Sequence, residues 1–225
     1  MKGTVFAVAL NHQSQRAAWA EAFEKAPYNA PPKTAVWFIK PHNTVIRAGE
    51  PIPFPQGETV LSGATVALMV GKTASKVRVE EAAAYIAGYA LANEISLPEE
   101  SFYRPAIKAK CRDGFCPLGE PVAVDNVDNL TIITEINGRE ADHWNTADLH
   151  RNAAELLSAL SEFATLNPGD AILLGTPQSR VEVRPGDRVR ILAEGFRRWK
   201  TRWWRNATLP SLRASRRTPR CLPSV

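Results

Sequence analysis

An α+β domain, mainly β and with few helices, is the fold class this sequence predicts, and three observations predict it. Short apolar or alternating runs recur along the chain, each bounded by Gly, Pro or Asn. Pro-rich connections such as Ala30-Pro31-Pro32 and Pro51-Ile52-Pro53-Phe54-Pro55 join them as ordered loops. Only three stretches carry a helical period.

The first strand is placed at Val5–Leu10. The opening residues look at first like a secretory leader, but the apolar stretch runs only from Val5 to Leu10. Polar Asn11-His12-Gln13 follows without a small-residue cleavage site, so a strand is the expectation. Further strands are expected at Ala35–Ile39, Thr65–Val70, Gly88–Ile95, Leu130–Ile136, Ala171–Leu174 and Arg188–Ala193. A first helix is expected near Ser14–Lys25, opening on a capping residue and containing Ala17, Ala18, Trp19 and Ala22. A second is expected at Val79–Ile86. The third, Leu149–Leu160, sets Leu149, Ala153, Leu156, Leu157 and Leu160 on one face, with Asp148 as its N-cap. The turns Asn167-Pro168-Gly169-Asp170 and Pro185-Gly186-Asp187 each deliver the chain into a strand. No linker interrupts residues 1–196, which are expected to be one domain.

Charge separates that domain from the C-terminal stretch. Residues 197–225 hold nine of the 28 Lys and Arg side chains and no acid; the first 196 therefore carry 19 basic and 23 acidic groups, a net of −4. The overall charge of +5 describes the tail. No apolar run approaches the length of a membrane span. Cys111, Cys116 and Cys221, with no leader, are expected to be reduced thiols in a cytoplasm. The C-x4-C spacing lacks a second Cys/His pair and does not suggest zinc.

Several motifs fail on inspection. Gly71-Lys72-Thr73 would need a glycine at position 66 to be a phosphate loop, and Val66 stands there. His12, His42, His143 and His150 have no helical partners at ligand spacing, and no Gly-x-Ser-x-Gly elbow exists.

Three segments carry more information together. They are Phe38-Ile39-Lys40-Pro41-His42-Asn43-Thr44-Val45; Ala87 to Ser96 followed by Lys108 to Gly119; and Leu166-Asn167-Pro168-Gly169-Asp170-Ala171-Ile172-Leu173-Leu174-Gly175-Thr176-Pro177. In this order and spacing they resemble the fumarylacetoacetate hydrolase superfamily over residues 1–196. The stretches Val5–Gln13, Pro31–Pro41 and Leu61–Gly71 resemble its tandem enzymes of bacterial aromatic catabolism.

The resemblance implies a β-sandwich or roll with few helices. It also implies one half of an enzyme with two reactions. The first decarboxylates 5-oxopent-3-ene-1,2,5-tricarboxylate; the second isomerises the resulting 2-hydroxyhepta-2,4-diene-1,7-dioate. The expected ligands are small 2-oxo acids with two or three carboxylates. The expected partner is a second such half or a copy of the chain, with neither nucleic acid nor membrane involved. A metal-free alternative stays open, in which this half is non-catalytic and serves a metal-bearing one.

By the same resemblance, Mg²⁺ chelates the 2-oxo acid and stabilises the enolate that forms. Its carboxylates would stand at positions 63, 65 and 94. This sequence has Gly63, Thr65 and Glu94, one carboxylate of three, so the chain is not expected to hold the metal alone. Gln15 stands where relatives carry a histidine of an acid/base pair, leaving His12 as a substitute. The resemblance assigns Lys110 and Glu94 as catalytic and Lys40, Gly175 and Thr176 as substrate-binding.

The tail Arg197-Arg198-Trp199-Lys200-Thr201-Arg202-Trp203-Trp204 could pair phosphates with arginine and bases with tryptophan. A different origin is expected. The superfamily continues after Gly195-Phe196 with a segment like Pro-Pro-Leu-Glu-Asn-Pro-Val-Val. One codon choice for the tail, with a single C restored in front, reads as that segment. Residues 197–225 are therefore expected to be a frame-shifted, disordered stretch.

Overall fold

A computed structural model describes residues 3–196 and 199–204. Its strands are β1 (Val5–Ala9), β2 (Val36–Lys40), β3 (Val45–Arg47), β4 (Pro51–Pro53), β5 (Val60–Ser62), β6 (Ala64–Val70) and β7 (Ile86–Asn93). They continue with β8 (Cys116–Leu118), β9 (Thr131–Ile136), β10 (Arg139–Asn145), β11 (Ala171–Leu173), β12 (Val181–Val183), β13 (Arg188–Ala193) and β14 (Trp199–Trp204). A seven-stranded sheet runs in the order β2-β1-β11-β6-β7-β8-β3, and a five-stranded sheet in the order β10-β9-β13-β14-β4. β12 pairs with β5.

β6 is the centre of this arrangement. All seven of its residues are buried, and Thr65 is its only polar one. A strand covered on both faces reads as a continuous apolar run, whereas a half-buried strand alternates. Its Val66, Leu68 and Val70 point into the main core with Ile132, Val189 and Ile191 of the second sheet. Ala67 and Met69 point the other way, against Ala7, Ala90 and Leu173. The alternate direction of successive side chains puts one strand into two cores.

All seven expected strands are present, Arg188–Ala193 with its expected bounds and the other six with ends moved by at most two residues. The helices depart further. α1 (Gln13–Ala18) and α2 (Ala20–Phe23) divide the expected first helix at Trp19, and His12 caps α1 by accepting the Ser14 N–H at 3.1 Å. The expected helix at Val79–Ile86 is a 3-10 helix over Val79–Tyr85, and Ile86 already belongs to β7. A further short helix, α3, spans Ile107–Lys110.

α4 (Ala153–Ser161) begins four residues later than expected. Asn152 caps it, accepting the Glu155 N–H at 3.0 Å, while Glu155 accepts the Asn152 N–H at 2.9 Å. That reciprocal capping box satisfies two otherwise unpaired donors and fixes the start. Asp148 instead ends a 3-10 turn at Thr146–Asp148. The expected apolar face is buried at Ala153, Leu156, Leu157 and Leu160. Asn152→Ala is expected to cost about 1 kcal/mol in urea unfolding; an unchanged midpoint would show that the box does not set the helix start.

Of residues 197–225, only 199–204 are described. They form β14, antiparallel to β13 and parallel to β4. The rest of the stretch expected to be frame-shifted, with Cys221, lies outside the described residues. Cys111 and Cys116 are free thiols. Burial pushes the Cys116 thiol up to about 12. No helix among the described residues is long and apolar enough to cross a membrane.

A buried charge cluster as the candidate functional site

Three chain segments meet where β6 and β7 run side by side. The Ala64↔Asn93 and Thr65↔Ala92 pairs end the ladder, and just beyond it the Glu94 N–H donates to the Gly63 carbonyl at 2.7 Å. Ser62 Oγ donates to Asn93 Oδ1 at 3.1 Å and fixes the same corner. Lys40 arrives at the end of β2, Lys110 at the end of α3, and Arg180 from the loop that follows β11.

Their side chains form one ion-pair network. Lys40 Nζ lies 2.7 Å from Glu94 Oε1, and Lys110 Nζ lies 3.0 Å from Glu94 Oε2 and 2.7 Å from Glu99 Oε1. Arg180 grips Glu99 with both guanidinium arms and donates to Ser96 Oγ at 2.6 Å. No side chain among these five is more than 5% exposed. With three cations against two carboxylates, the cluster keeps a net charge of +1.

Burial on its own raises the pKa of Glu94. The Lys110, Lys40 and Arg180 charges outweigh it and hold the carboxyl at about 2. Burial likewise opposes ionisation of Glu99, and Lys110 and Arg180 overcome it, so its pKa also falls below the usual range. For Lys40 burial wins over the Glu94 charge, and its pKa is lowered. Both carboxylates are thus ionised at neutral pH because cations surround them.

The sequence-assigned residues occupy different environments. Glu94 and Lys110 are in direct contact. Lys110 also sits 4.8 Å from the centre of the Phe38 ring and lines a largely apolar groove of about 720 Å³. Lys40 is turned inward: its ammonium donates to the carbonyls of Ile95 (2.7 Å), Lys110 (2.9 Å) and Phe115 (3.1 Å) as well as meeting Glu94. An ammonium has three protons, so Lys40 has no donor left for a substrate. Gly175 and Thr176 lie on the loop after β11. The Gly175 carbonyl accepts the Thr65 hydroxyl at 2.6 Å, and Thr176 is buried. Gly175 has φ +115°, and an added Cβ would lie 3.2 Å from that of Asn11.

Gln15 accepts the Leu10 N–H at 3.0 Å, a structural bond in the place where a proton-relaying histidine was sought. His12 is occupied as the α1 cap and stacks edge-on against Trp144 at 5.4 Å. Burial lowers its pKa, with Asp148 opposing. Glu99 and Arg180 were missed by sequence reasoning. Nothing in their local sequence marks them, since each gains its partner only through the fold. Among the described residues, no group of three or more His, Cys, Asp or Glu side chains could hold a metal ion.

The mainly β fold carries a buried cluster of acids and bases at the end of its central strands. Residues 4–202 match the family model described as fumarylacetoacetate (FAA) hydrolase C-terminal, and the chain belongs to that family. It is 84% identical over 196 residues to the 4-hydroxyphenylacetate degradation bifunctional isomerase/decarboxylase of Escherichia coli. The match covers 87% of this chain and 46% of that protein. The chain therefore spans about half the length of the curated relatives it matches. Among solved structures it is similar to the 2-hydroxyhepta-2,4-diene-1,7-dioate isomerase of Mycobacterium marinum. The TM-score is 0.77 with 26% identity, covering 91% of this chain and 75% of that one. The fold is also shared with fumarylpyruvate hydrolase from Pseudomonas aeruginosa, solved with Mn²⁺ and pyruvate. Here the TM-score is 0.77 with 21% identity, covering 90% of each chain.

Proposed function

We propose that this chain is one half of a tandem enzyme that decarboxylates 5-oxopent-3-ene-1,2,5-tricarboxylate and isomerises 2-hydroxyhepta-2,4-diene-1,7-dioate in the cytoplasm. The observation that carries this reading is the 84% identity to the bifunctional E. coli enzyme. In decarboxylation, the bond to the departing carboxylate breaks. Its electron pair runs through the conjugated double bond onto the ketone oxygen, giving CO₂ and a dienolate. Isomerisation re-protonates a dienolate of the same kind at carbon. Both steps place negative charge on one oxygen, and a fixed ammonium facing that oxygen lowers both barriers. Lys110 is the cluster member that reaches an open groove. Glu94 and Glu99 hold it in place, and Lys40 holds Glu94 from the closed side.

Away from Lys110, the walls of the groove are apolar enough to meet a protein surface. Exposed Ile39, Tyr103, Ile107 and Phe163 surround it, and Lys110 and Arg104 are its only charged side chains among the described residues. This supports pairing with the second half, which on this reading carries the Mg²⁺ that the enzyme needs.

A second reading is favoured by the closure of the cluster: this half is a non-catalytic partner that shapes the other's site. One experiment separates the two. The chain is joined to the second half of the E. coli relative, and CO₂ release is measured with Mg²⁺ present. Lys110→Met is expected to lower kcat by about 100-fold with the fold retained. An unchanged kcat removes the first reading and leaves the second. Turnover by the present chain alone removes the second.

A further inference from the structure

The residues at positions 63, 65 and 94 do not fit a divalent cation. Mg²⁺ and Mn²⁺ sites are built from free oxygen donors, usually including carboxylates. Glu94 Oε2 accepts from Lys110, and Oε1, which has no hydrogen-bond donor of its own, is held 2.7 Å from the Lys40 ammonium, where a second cation would meet a charge of its own sign. The Thr65 hydroxyl is buried and donates to the Gly175 carbonyl. Gly63 offers no side chain, and one could enter only if the surrounding atoms shifted. An added Cβ would lie 2.7 Å from the Glu94 carbonyl oxygen, 2.9 Å from Thr176 Cγ2 and 3.2 Å from Arg180 Cδ.

The last of these contacts says more than the loss of a ligand. The stem of Arg180 passes 3.2 Å from where a Cβ at position 63 would stand, behind the closer Glu94 carbonyl and Thr176 methyl. Its guanidinium is then fixed by both oxygens of Glu99 and by Ser96, close enough to Glu94 to help hold that carboxylate ionised. Arginine remains charged at any physiological pH, and its planar fork matches a carboxylate with two parallel bonds.

We propose that Arg180 is a resident cation that fills, in this half, the positive position a divalent metal takes in metal-bearing relatives. Gly63, bare of a side chain, lets the Arg180 stem, the Thr176 methyl and the Glu94 carbonyl close in on one point. The substitution of glycine for a carboxylate and the arrival of arginine are on this view one change. The site became closed to metal by exchange of one cation for another, and its anions stayed paired. The inference rests on family membership and on the geometry around Gly63, not on the reactions proposed above, so failure of either leaves the other standing.

Mn²⁺ uptake, followed by loss of the free-ion paramagnetic resonance signal, tests it. The present chain is expected to leave the signal undiminished at millimolar Mn²⁺. Gly63→Glu/Thr65→Glu, with Arg180 in place, is expected to behave the same way, because the guanidinium pairs with the new carboxylates. Adding Arg180→Ala to that pair is expected to tighten Mn²⁺ binding by about tenfold or more. Equal binding with and without Arg180 overturns the proposal, as does Mn²⁺ binding by the unaltered chain that Glu94→Gln abolishes. Arg180→Ala alone guards against misfolding of the multiple variants. Its melting temperature is expected to fall and to recover in millimolar methylguanidinium, with no recovery in the same concentration of NaCl. Failure to recover shows that no cation is required there and also overturns the proposal.

Discussion

Glu94→Gln is expected to destabilise the chain by about 3 kcal/mol at pH 7, measured by urea unfolding, and the loss should shrink as the pH falls. The magnitude follows from the depressed pKa. A shift from the ordinary 4.5 to about 2, at roughly 1.4 kcal/mol per unit, is worth about 3 kcal/mol. Removing one partner of a buried ion pair has a similar measured cost, about 3–5 kcal/mol, because the other charges stay behind unpaired. Here Lys40 would face no carboxylate of the cluster, and Lys110 and Arg180 would be left with Glu99. A single domain is stable by about 5–15 kcal/mol, so this is a large fraction. Because the folded pKa lies below the unfolded one, the stabilisation is complete above about pH 5. It disappears as pH falls through the native value near 2. Wild type and variant should therefore converge near pH 2. A loss of equal size at every pH would mean that Glu94 contributes by packing and not by charge.

Asn11→Leu is expected to cost about 3 kcal/mol and to loosen the loop that carries Gly175 and Thr176. The buried Asn11 amide donates to the carbonyls of Leu174 at 2.8 Å and Arg151 at 2.9 Å, and its oxygen accepts the Arg151 N–H at 3.1 Å. Each such bond contributes about 1 kcal/mol net, and a buried carbonyl left without a donor costs a further 1–3 kcal/mol or so. Leucine has the same branched skeleton of four side-chain heavy atoms and is somewhat bulkier, so it leaves no cavity and the lost bonds carry the effect. The side chain ties the start of α4 to the strand exit at Leu174, and Thr65 ties the next carbonyl, that of Gly175. Hydrogen exchange at residues 174–177 should accelerate in Asn11→Leu, with the β6–β7 ladder unchanged. Protection of that loop at wild-type levels would show that Thr65 holds it without Asn11.

The sheets were legible in the sequence where the strands are buried on both sides. β6, β7 and β11 were found inside apolar runs of four to eight residues, and their shortness and the Gly, Pro and Asn around them favour a strand over a buried helix. β10 escaped because it is largely exposed and reads Arg139-Glu140-Ala141-Asp142-His143-Trp144-Asn145, with no alternation to find. β3, β5, β8 and β12 span three residues each, too few to show a period. The helix at α4 was legible from its apolar face, but its start was misplaced. Asp148 and Asn152 are both good caps, and the deciding partner, Glu155, lies three residues after the second. In the site, Glu94 and Lys110 could be named only through resemblance, and their contact spans 16 positions. Glu99 and Arg180 were illegible, because an isolated acid and an isolated arginine gain meaning only when a fold sets them within hydrogen-bond reach.

β14 leaves β4 in a dependent position. β4 has no other neighbour in its sheet, and β14 alone connects it to β13. The pairing is made by main-chain groups, to which Pro51 and Pro53 bring carbonyls but no N–H. A protein cut back to residue 196 would lose more than a basic tail: Pro51–Pro53 would be left without a ladder, and β13 would present a row of open donors and acceptors. Such an edge recruits other chains. Truncation at the end of the family-like sequence is thus a route to aggregation, even though the charge cluster, in the other sheet, would be untouched.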